Sequence, residues 1–264
     1  MGIKAKKSLG QHFLADAATA SRIVQFISPG AGERMVEIGP GTGVLTRLVQ
    51  PQAERLFAVE IDSRCAGLLR REFGPCDNFT LIEADILALD LDKAIPVARY
   101  RVFGNIPYSI TSPILFKVFE SRDRVIDLTL MVQKEVGERI VASPGNRTFG
   151  ITSVFSQLYA DVKLLLRIPF SAFRPRPEVD SVLVRWDFAS DRSQRVLDEA
   201  HFRRLVRRAF GQRRKMLRNS LGNEIPVEYE TQRPEQLSVS QWIELANATT
   251  AKPQHGSPRP PGNR

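Results

Sequence analysis

The run Glu37-Ile-Gly-Pro-Gly-Thr-Gly43 follows directly on a short apolar stretch and places glycines at 39, 41 and 43. Glycines so spaced permit a tight turn and let the backbone approach a ligand at a helix N-terminus. The dinucleotide fingerprint G-x-G-x-x-G would put its third glycine at position 44, where this chain has Val44. The G-x-G-x-G spacing points away from a pyrophosphate. It suits the methyltransferase loop that seats the amino-acid part of S-adenosylmethionine, although a plain tight turn would also account for it. Two acids favour the ligand reading. Glu60 lies 21 residues after Gly39, where a carboxylate accepts from both ribose hydroxyls, and Asp85 stands where one would hold the adenine amino group. Each alone reads equally well as a solvated strand end. Together they fall at the carboxyl ends of successive predicted strands, where doubly wound sheets bind ligands, with Ile61 and Ile86 beside them.

Asn105-Ile-Pro-Tyr108 ends a further predicted strand. Methylating an exocyclic amine requires freeing a nitrogen lone pair that is delocalised into the ring. Acceptors around the N–H groups, here the Asn105 side-chain oxygen and the Ile106 carbonyl, favour a tetrahedral nitrogen. Pro107 stiffens the backbone and Tyr108 offers a stacking face. Positioning and electrostatics suffice, so no strong base is required, and no His or Cys adjoins the motif. A strand-ending turn is the competing reading, since Asn and Pro favour turns. An extruded base needs a second aromatic on its other face. Phe173 is the expected one, flanked by Arg174 and Arg176 as phosphate contacts, with Phe170 assigned equally well to the core.

These residues need a frame. Short β-rich runs at 35–38, 56–59, 79–82, 101–103 and 128–132 alternate with helix-length segments such as 64–73 and 112–119, predicting a parallel sheet with crossover helices. Runs at 162–168 and 181–186, with no helix between them, predict an antiparallel pair closing one edge, for seven strands in all. After residue 190 Phe202, Leu205, Val206, Ala209 and Phe210 recur at helical spacing, with Arg203, Arg204, Arg207 and Arg208 opposite. Gly211 interrupts this helix, 213–221 restarts it, and 240–247 forms a last one. The expected organisation is an α/β domain over 1–189, with 1–14 as a basic leader, a small all-helical domain over 190–248, and a proline-rich disordered tail over 249–264.

Charge follows this division. Of a net +9, residues 201–220 contribute eight basic side chains and no acid, the leader three, and the last sixteen residues three. The remainder of the chain is therefore net acidic. Clustered positive charge suits a polyanion, although a solvated helix face with free ends reads the same way. No apolar run reaches the roughly 20 residues of a membrane span, and the leader lacks the apolar core of a secretory signal. Cys65 and Cys76 have neither metal-ligand nor disulfide-framework spacing, so a reducing cytoplasmic setting without a metal is expected.

Four motifs, Lys7-Ser-Leu-Gly-Gln-His-Phe-Leu14, Glu37 to Gly43, Asn105 to Tyr108 and Phe173-Arg-Pro-Arg-Pro-Glu-Val-Asp-Ser181, occur in an order that resembles the KsgA/RsmA family of ribosomal RNA adenine N6,N6-dimethyltransferases. The resemblance runs from about residue 4 to 221. It implies a Rossmann-like class I methyltransferase domain and S-adenosylmethionine contacts at His12, Leu14, Gly39, Glu60, Asp85 and Asn105. It adds His12 and Leu14 to the spacing argument, with Gly41, Ile61 and Ile86 counted in the same site. It further implies dimethylation of two adjacent adenosines near the 3′ end of 16S rRNA in the small ribosomal subunit. The enzyme is expected to be a monomer. Arg203, Arg204, Arg207, Arg208, Arg213, Arg214, Lys215 and Arg218, with Arg174 and Arg176, are the expected rRNA contacts. Alternatives are an Erm-type large-subunit adenine methyltransferase, against which the leader and the length of the helical domain weigh, and an assembly checkpoint acting by binding. A DNA adenine methyltransferase fits less well, because its target motif carries two prolines where Ile106 and Pro107 stand here.

Overall fold

The computed structural model describes residues 3–222 and 225–250. In chain order its first part contains β1 (Phe13–Leu14), α1 (Ala17–Ile27), β2 (Arg34–Ile38), α2 (Thr46–Val49), β3 (Arg55–Glu60), α3 (Ser63–Phe73), β4 (Phe79–Glu83) and α4 (Leu91–Ala94). β5 (Tyr100–Asn105), α5 (Thr111–Glu120), β6 (Val125–Gln133), α6 (Lys134–Ile140), α7 (Ile151–Tyr159), β7 (Asp161–Ile168), β8 (Phe173–Arg174) and β9 (Ser181–Asp187) follow. Seven strands form one sheet in the order β4-β3-β2-β5-β6-β9-β7. The first five are parallel and β9 runs antiparallel to both its neighbours. The central strands read as continuous apolar runs because helices cover both faces.

The helices bury single stripes. In α1 these are Ala20, Ile23, Val24 and Ile27, one face at helical spacing, and the Asp16 carboxylate caps the first turn by accepting from Thr19 N at 2.8 Å. In α3 they are Cys65, Ala66, Leu69 and Phe73, with Asp62 as the cap. The chain runs outward from β2 through β3 to β4, then returns to lay β5 on the other side of β2. The carboxyl ends of β2 and β5 are thus the topological switch point, where a crevice opens. Gly104 lets these strands close there: a Cβ at this position would sit 2.4 Å from the Ile38 carbonyl oxygen.

One buried ionic cluster ties the base of this sheet together. Arg101, 5% exposed, donates to both Asp127 oxygens at 3.0 and 2.9 Å, to Glu33 at 2.6 Å and to the Ile27 and Ser28 carbonyls. Arg185 meets the same Asp127 at 3.0 Å. Asp127→Ala leaves two guanidinium groups short of their carboxylate, and urea denaturation is expected to show a loss of about 3–5 kcal/mol. A loss below about 1 kcal/mol would mean that the remaining partners compensate.

The chain divides into two compact units, one of residues up to 142 with 152–191, the other of 143–151 with the residues from 192 onward. The boundary falls two residues beyond the expected one. The segment 143–151, assigned from sequence to the α/β domain, belongs to the second unit, where the Gly145 amide donates to the Glu235 carbonyl at 2.7 Å. That unit holds α8 (Glu199–Gly211), α9 (Leu217–Leu221), α10 (Val227–Glu230) and α11 (Val239–Thr250). α8 buries Phe202, Leu205, Val206 and Ala209 and exposes Arg204, Arg207 and Arg208. Residues 213–215 form a turn rather than the start of the expected helix, which begins at Leu217 after an extended Met216. α11 runs to Thr250, so the first two residues of the expected tail are helical. The rest of that tail, 251–264, lies outside the described residues. No helix among the described residues is long and apolar enough to cross a membrane.

Candidate functional site

The crevice at the switch point is lined by the ends of β2, β3 and β5, the turn after β4, and the leader. Gly39, Gly41 and Gly43 all have positive φ, at 68°, 57° and 79°. At Gly41 this is obligatory twice over, because a Cβ would also lie 3.0 Å from the Phe13 ring. The Gly41 amide donates to Glu60 Oε2 at 2.9 Å, and the Asp62 amide donates to Glu60 Oε1 at 2.8 Å. Glu60 is 4% exposed; burial pushes its carboxyl pKa upward and these two amides oppose the rise. Asp85 lies two residues beyond the end of β4 rather than on it. It is exposed, and its Oδ1 accepts from Leu87 N at 2.9 Å, which shapes the turn. Ile61, 53% exposed, and the buried Ile86 flank the same space.

At the other end stands Asn105. Its Nδ2 donates to the His12 carbonyl at 3.0 Å, which assigns the amide orientation and leaves Oδ1 with no donor among the described residues. The Ile106 carbonyl likewise takes no hydrogen bond there. The Tyr108 hydroxyl is 2.5 Å from Ser181 Oγ, and its ring stacks on the His12 imidazole with centroids 5.9 Å apart and an interplanar angle of 17°. Burial pushes the Tyr108 phenol pKa upward, which keeps the hydroxyl neutral. His12 Nδ1 lies 2.9 Å from the Pro175 carbonyl, and β1 pairs with β8, Leu14 opposite Phe173. The leader is thereby fastened beside Asn105.

His12, Leu14, Gly39, Gly41, Glu60, Ile61, Asp85, Ile86 and the Asn105–Tyr108 segment all line this one crevice. Phe173 does not. It is fully buried, packed in the core with Leu14. A stacking role across the base is therefore corrected: pairing with the leader turns this side chain inward. The exposed aromatic of that loop is Phe170, at 44%, whose amide donates to Asp180 Oδ1 at 3.0 Å. Arg174 and Arg176 are exposed, although the Arg174 guanidinium also donates to the Ser171 and Phe173 carbonyls.

Sequence reasoning gave no role to Glu37, which heads the glycine motif. It is 1% exposed on the crevice floor and accepts from Thr46 Oγ1 at 2.7 Å. Burial pushes its pKa up to about 8; the Thr46 bond opposes this and the charge of Glu60 adds to it. Between the ordinary value of 4.5 and about 8 the unfolded chain has lost this proton while the folded chain keeps it. Stability therefore falls as pH rises through that window and levels off above it. Glu37→Gln is expected to remove this part of the slope, up to about 5 kcal/mol, and to raise Tm at pH 8.5. An unchanged profile of Tm against pH would contradict it.

The lining carries two buried glutamates and no lysine or arginine. Below about pH 8 Glu37 is protonated, so the acidic character of the lining comes from Glu60 and Asp85. With no lysine or arginine in the lining, the crevice offers a nucleotide phosphate no partner and leaves a nucleoside bearing positive charge unopposed. Among the described residues no group of three His, Cys, Asp or Glu side chains is placed to hold a metal ion.

A family model described as ribosomal RNA adenine dimethylase matches residues 2–252. The ribosomal RNA small subunit methyltransferase A of Geobacter sulfurreducens is 44% identical over 225 residues, covering 83% of this chain and 81% of that one. A solved dimethyladenosine transferase from Plasmodium falciparum superposes with a TM-score of 0.76 at 23% identity, covering 89% of this chain and 96% of that one. The solved 23S rRNA methyltransferase ErmE does so at 0.69 and 24%, covering 89% and 98%. At those identities the two structures establish a shared Rossmann-like methyltransferase fold.

Proposed function

The chain belongs to the ribosomal RNA adenine dimethylase family, and from that premise we propose that it transfers methyl groups from S-adenosylmethionine to N6 of two adjacent adenosines near the 3′ end of 16S rRNA. The observation that carries the donor is the crevice with Glu60 buried at the end of β3, Asp85 just beyond the end of β4 and no lysine or arginine in the lining. S-adenosylmethionine supplies a methyl group on a positively charged sulfonium. Glu60 offers its remaining lone pairs to the ribose hydroxyls, and Asp85 lies where it meets the adenine edge. The glycine loop seats the amino-acid portion against backbone that no side chain obstructs.

The acceptor end follows from Asn105. With Nδ2 engaged by the leader, Oδ1 and the Ile106 carbonyl are two acceptors for the N–H groups of a target amine. Holding both protons in place favours a pyramidal nitrogen whose lone pair is available. Tyr108, braced by Ser181 and His12, supplies a stacking face for an extruded base. The exposed arginines of α8 and the turn after it are suited to rRNA phosphates.

The small subunit as target is favoured by the name and the 44% identity of the Geobacter relative, whereas the likeness to ErmE is one of fold. Incubation with methyl-labelled S-adenosylmethionine and separated, under-methylated subunits tests this. Label is expected in the small subunit. Label in the large subunit would support the Erm-type reading instead.

A further inference from the structure

The leader lines the crevice from Ser8 to Leu14, yet no residue between Ile3 and Phe13 is buried. Residues 4–11 thus contribute no fully buried side chain to the core. Their attachments are polar and converge on one side chain. Gln11 Nε2 donates to Asp62 Oδ2 at 2.9 Å, Lys6 Nζ lies 3.7 Å from Asp62 Oδ1, and the Lys6 amide donates to Gln11 Oε1 at 2.8 Å. Arg64 bonds both Asp62 oxygens, and its Nη1 donates to the Lys4 carbonyl at 3.0 Å. Asp62 is 1% exposed, with its carboxyl held well below the usual carboxylate range, chiefly by Arg64. The same residue caps α3, and its amide braces Glu60. Gly10, with φ of 59°, turns the chain between the Asp62 attachment and the His12–Asn105 attachment.

We propose that Asp62 is a positioning residue that clamps residues 4–11 across the crevice as a strap and thereby sets how fast the methyl donor leaves. This rests on the reading of the crevice as an S-adenosylmethionine site. A neutral Gln11 reaches the carboxylate through one hydrogen bond, so the charge placed at position 11 controls the clamp while α3 and Glu60 stay intact. Gln11→Ala removes this bond together with the one accepted from the Lys6 amide, Gln11→Glu keeps an acceptor for Lys6 but adds repulsion toward Asp62, and Gln11→Lys restores attraction to Asp62.

Stopped-flow dissociation of S-adenosylmethionine and tryptic cleavage after Lys4, Lys6 and Lys7 of the ligand-free protein read the clamp independently. Gln11→Ala is expected to speed dissociation about tenfold, the effect of one hydrogen bond to a charged group. Gln11→Glu should exceed it, and Gln11→Lys should return to near the wild-type rate. Leader cleavage should rise in the same order. Equal rates for Gln11→Glu and Gln11→Lys, or cleavage unmoved in all three, would overturn the proposal. A wild-type protein that does not bind S-adenosylmethionine at all would overturn the donor assignment instead, with the cleavage series still deciding whether Asp62 holds the strap.

Discussion

Asn105→Ala is expected to lower kcat for methyl transfer by about a hundredfold to a thousandfold while small-subunit binding stays within about twofold of wild type. The magnitude is that of removing one group aimed at a developing charge in a site shielded from water. The side chain has two functions that separate by atom. Nδ2 holds the His12 carbonyl, and Oδ1 is the acceptor without a donor. Asn105→Asp keeps an acceptor but removes the donor and sets a charge against that carbonyl. It should therefore raise KM for S-adenosylmethionine more than Asn105→Ala does, yet retain more kcat. Equal kcat for the two variants would mean that the leader, not the acceptor, is what Asn105 serves. Loss of subunit binding in Asn105→Ala would contradict the division between chemistry and grip, and would favour a protein that acts by binding.

The second large effect concerns that grip. Arg204, Arg208, Arg214 and Arg218 are exposed, the first two on α8, Arg214 in the turn after it and Arg218 on α9. Arg213 is a poorer choice than sequence suggests, because it donates to the Arg147 carbonyl and lies 3.8 Å from Glu235. Changing the four exposed arginines to glutamine should reduce the slope of log affinity against log salt by about 0.7–0.9 for each phosphate that is no longer neutralised. If all four touch phosphate, small-subunit affinity near physiological salt falls by about two to three orders of magnitude. S-adenosylmethionine affinity should not move, because the crevice is built wholly from the other unit. A fall in donor affinity would show that these arginines support the fold.

What was legible in the sequence was whatever local chemistry specifies. The glycine spacing indicates a tight turn, which the structure makes with positive φ at 39, 41 and 43, and alternating apolar runs indicate the parallel strands whose ends carry Glu60 and Asn105. What was not legible depends on pairing distant in the chain. Phe173 sits among arginines and prolines, a context that reads as exposed. Its burial comes from β1 and β8 meeting across some 160 residues, opposite Leu14. Glu37 reads as a strand residue like any other, and its raised pKa arises from tertiary burial, with Thr46 and Glu60 as the side chains next to it. The turn at 213–215 leaves no mark in the sequence because an exposed turn and an exposed helix face tolerate the same basic residues. Gln11 and Asp62, 51 residues apart, carry no mark of their partnership in the sequence.

The central claim is that this crevice dimethylates two neighbouring adenosines of small-subunit rRNA. Its most direct test is nucleoside mass spectrometry of the 3′-terminal rRNA fragment after under-methylated small subunits have reacted with the protein and S-adenosylmethionine. Two adjacent N6,N6-dimethyladenosines are predicted with the wild-type protein and none with Asn105→Ala. Unmodified adenosines with the wild-type protein bound to the subunits would contradict the account.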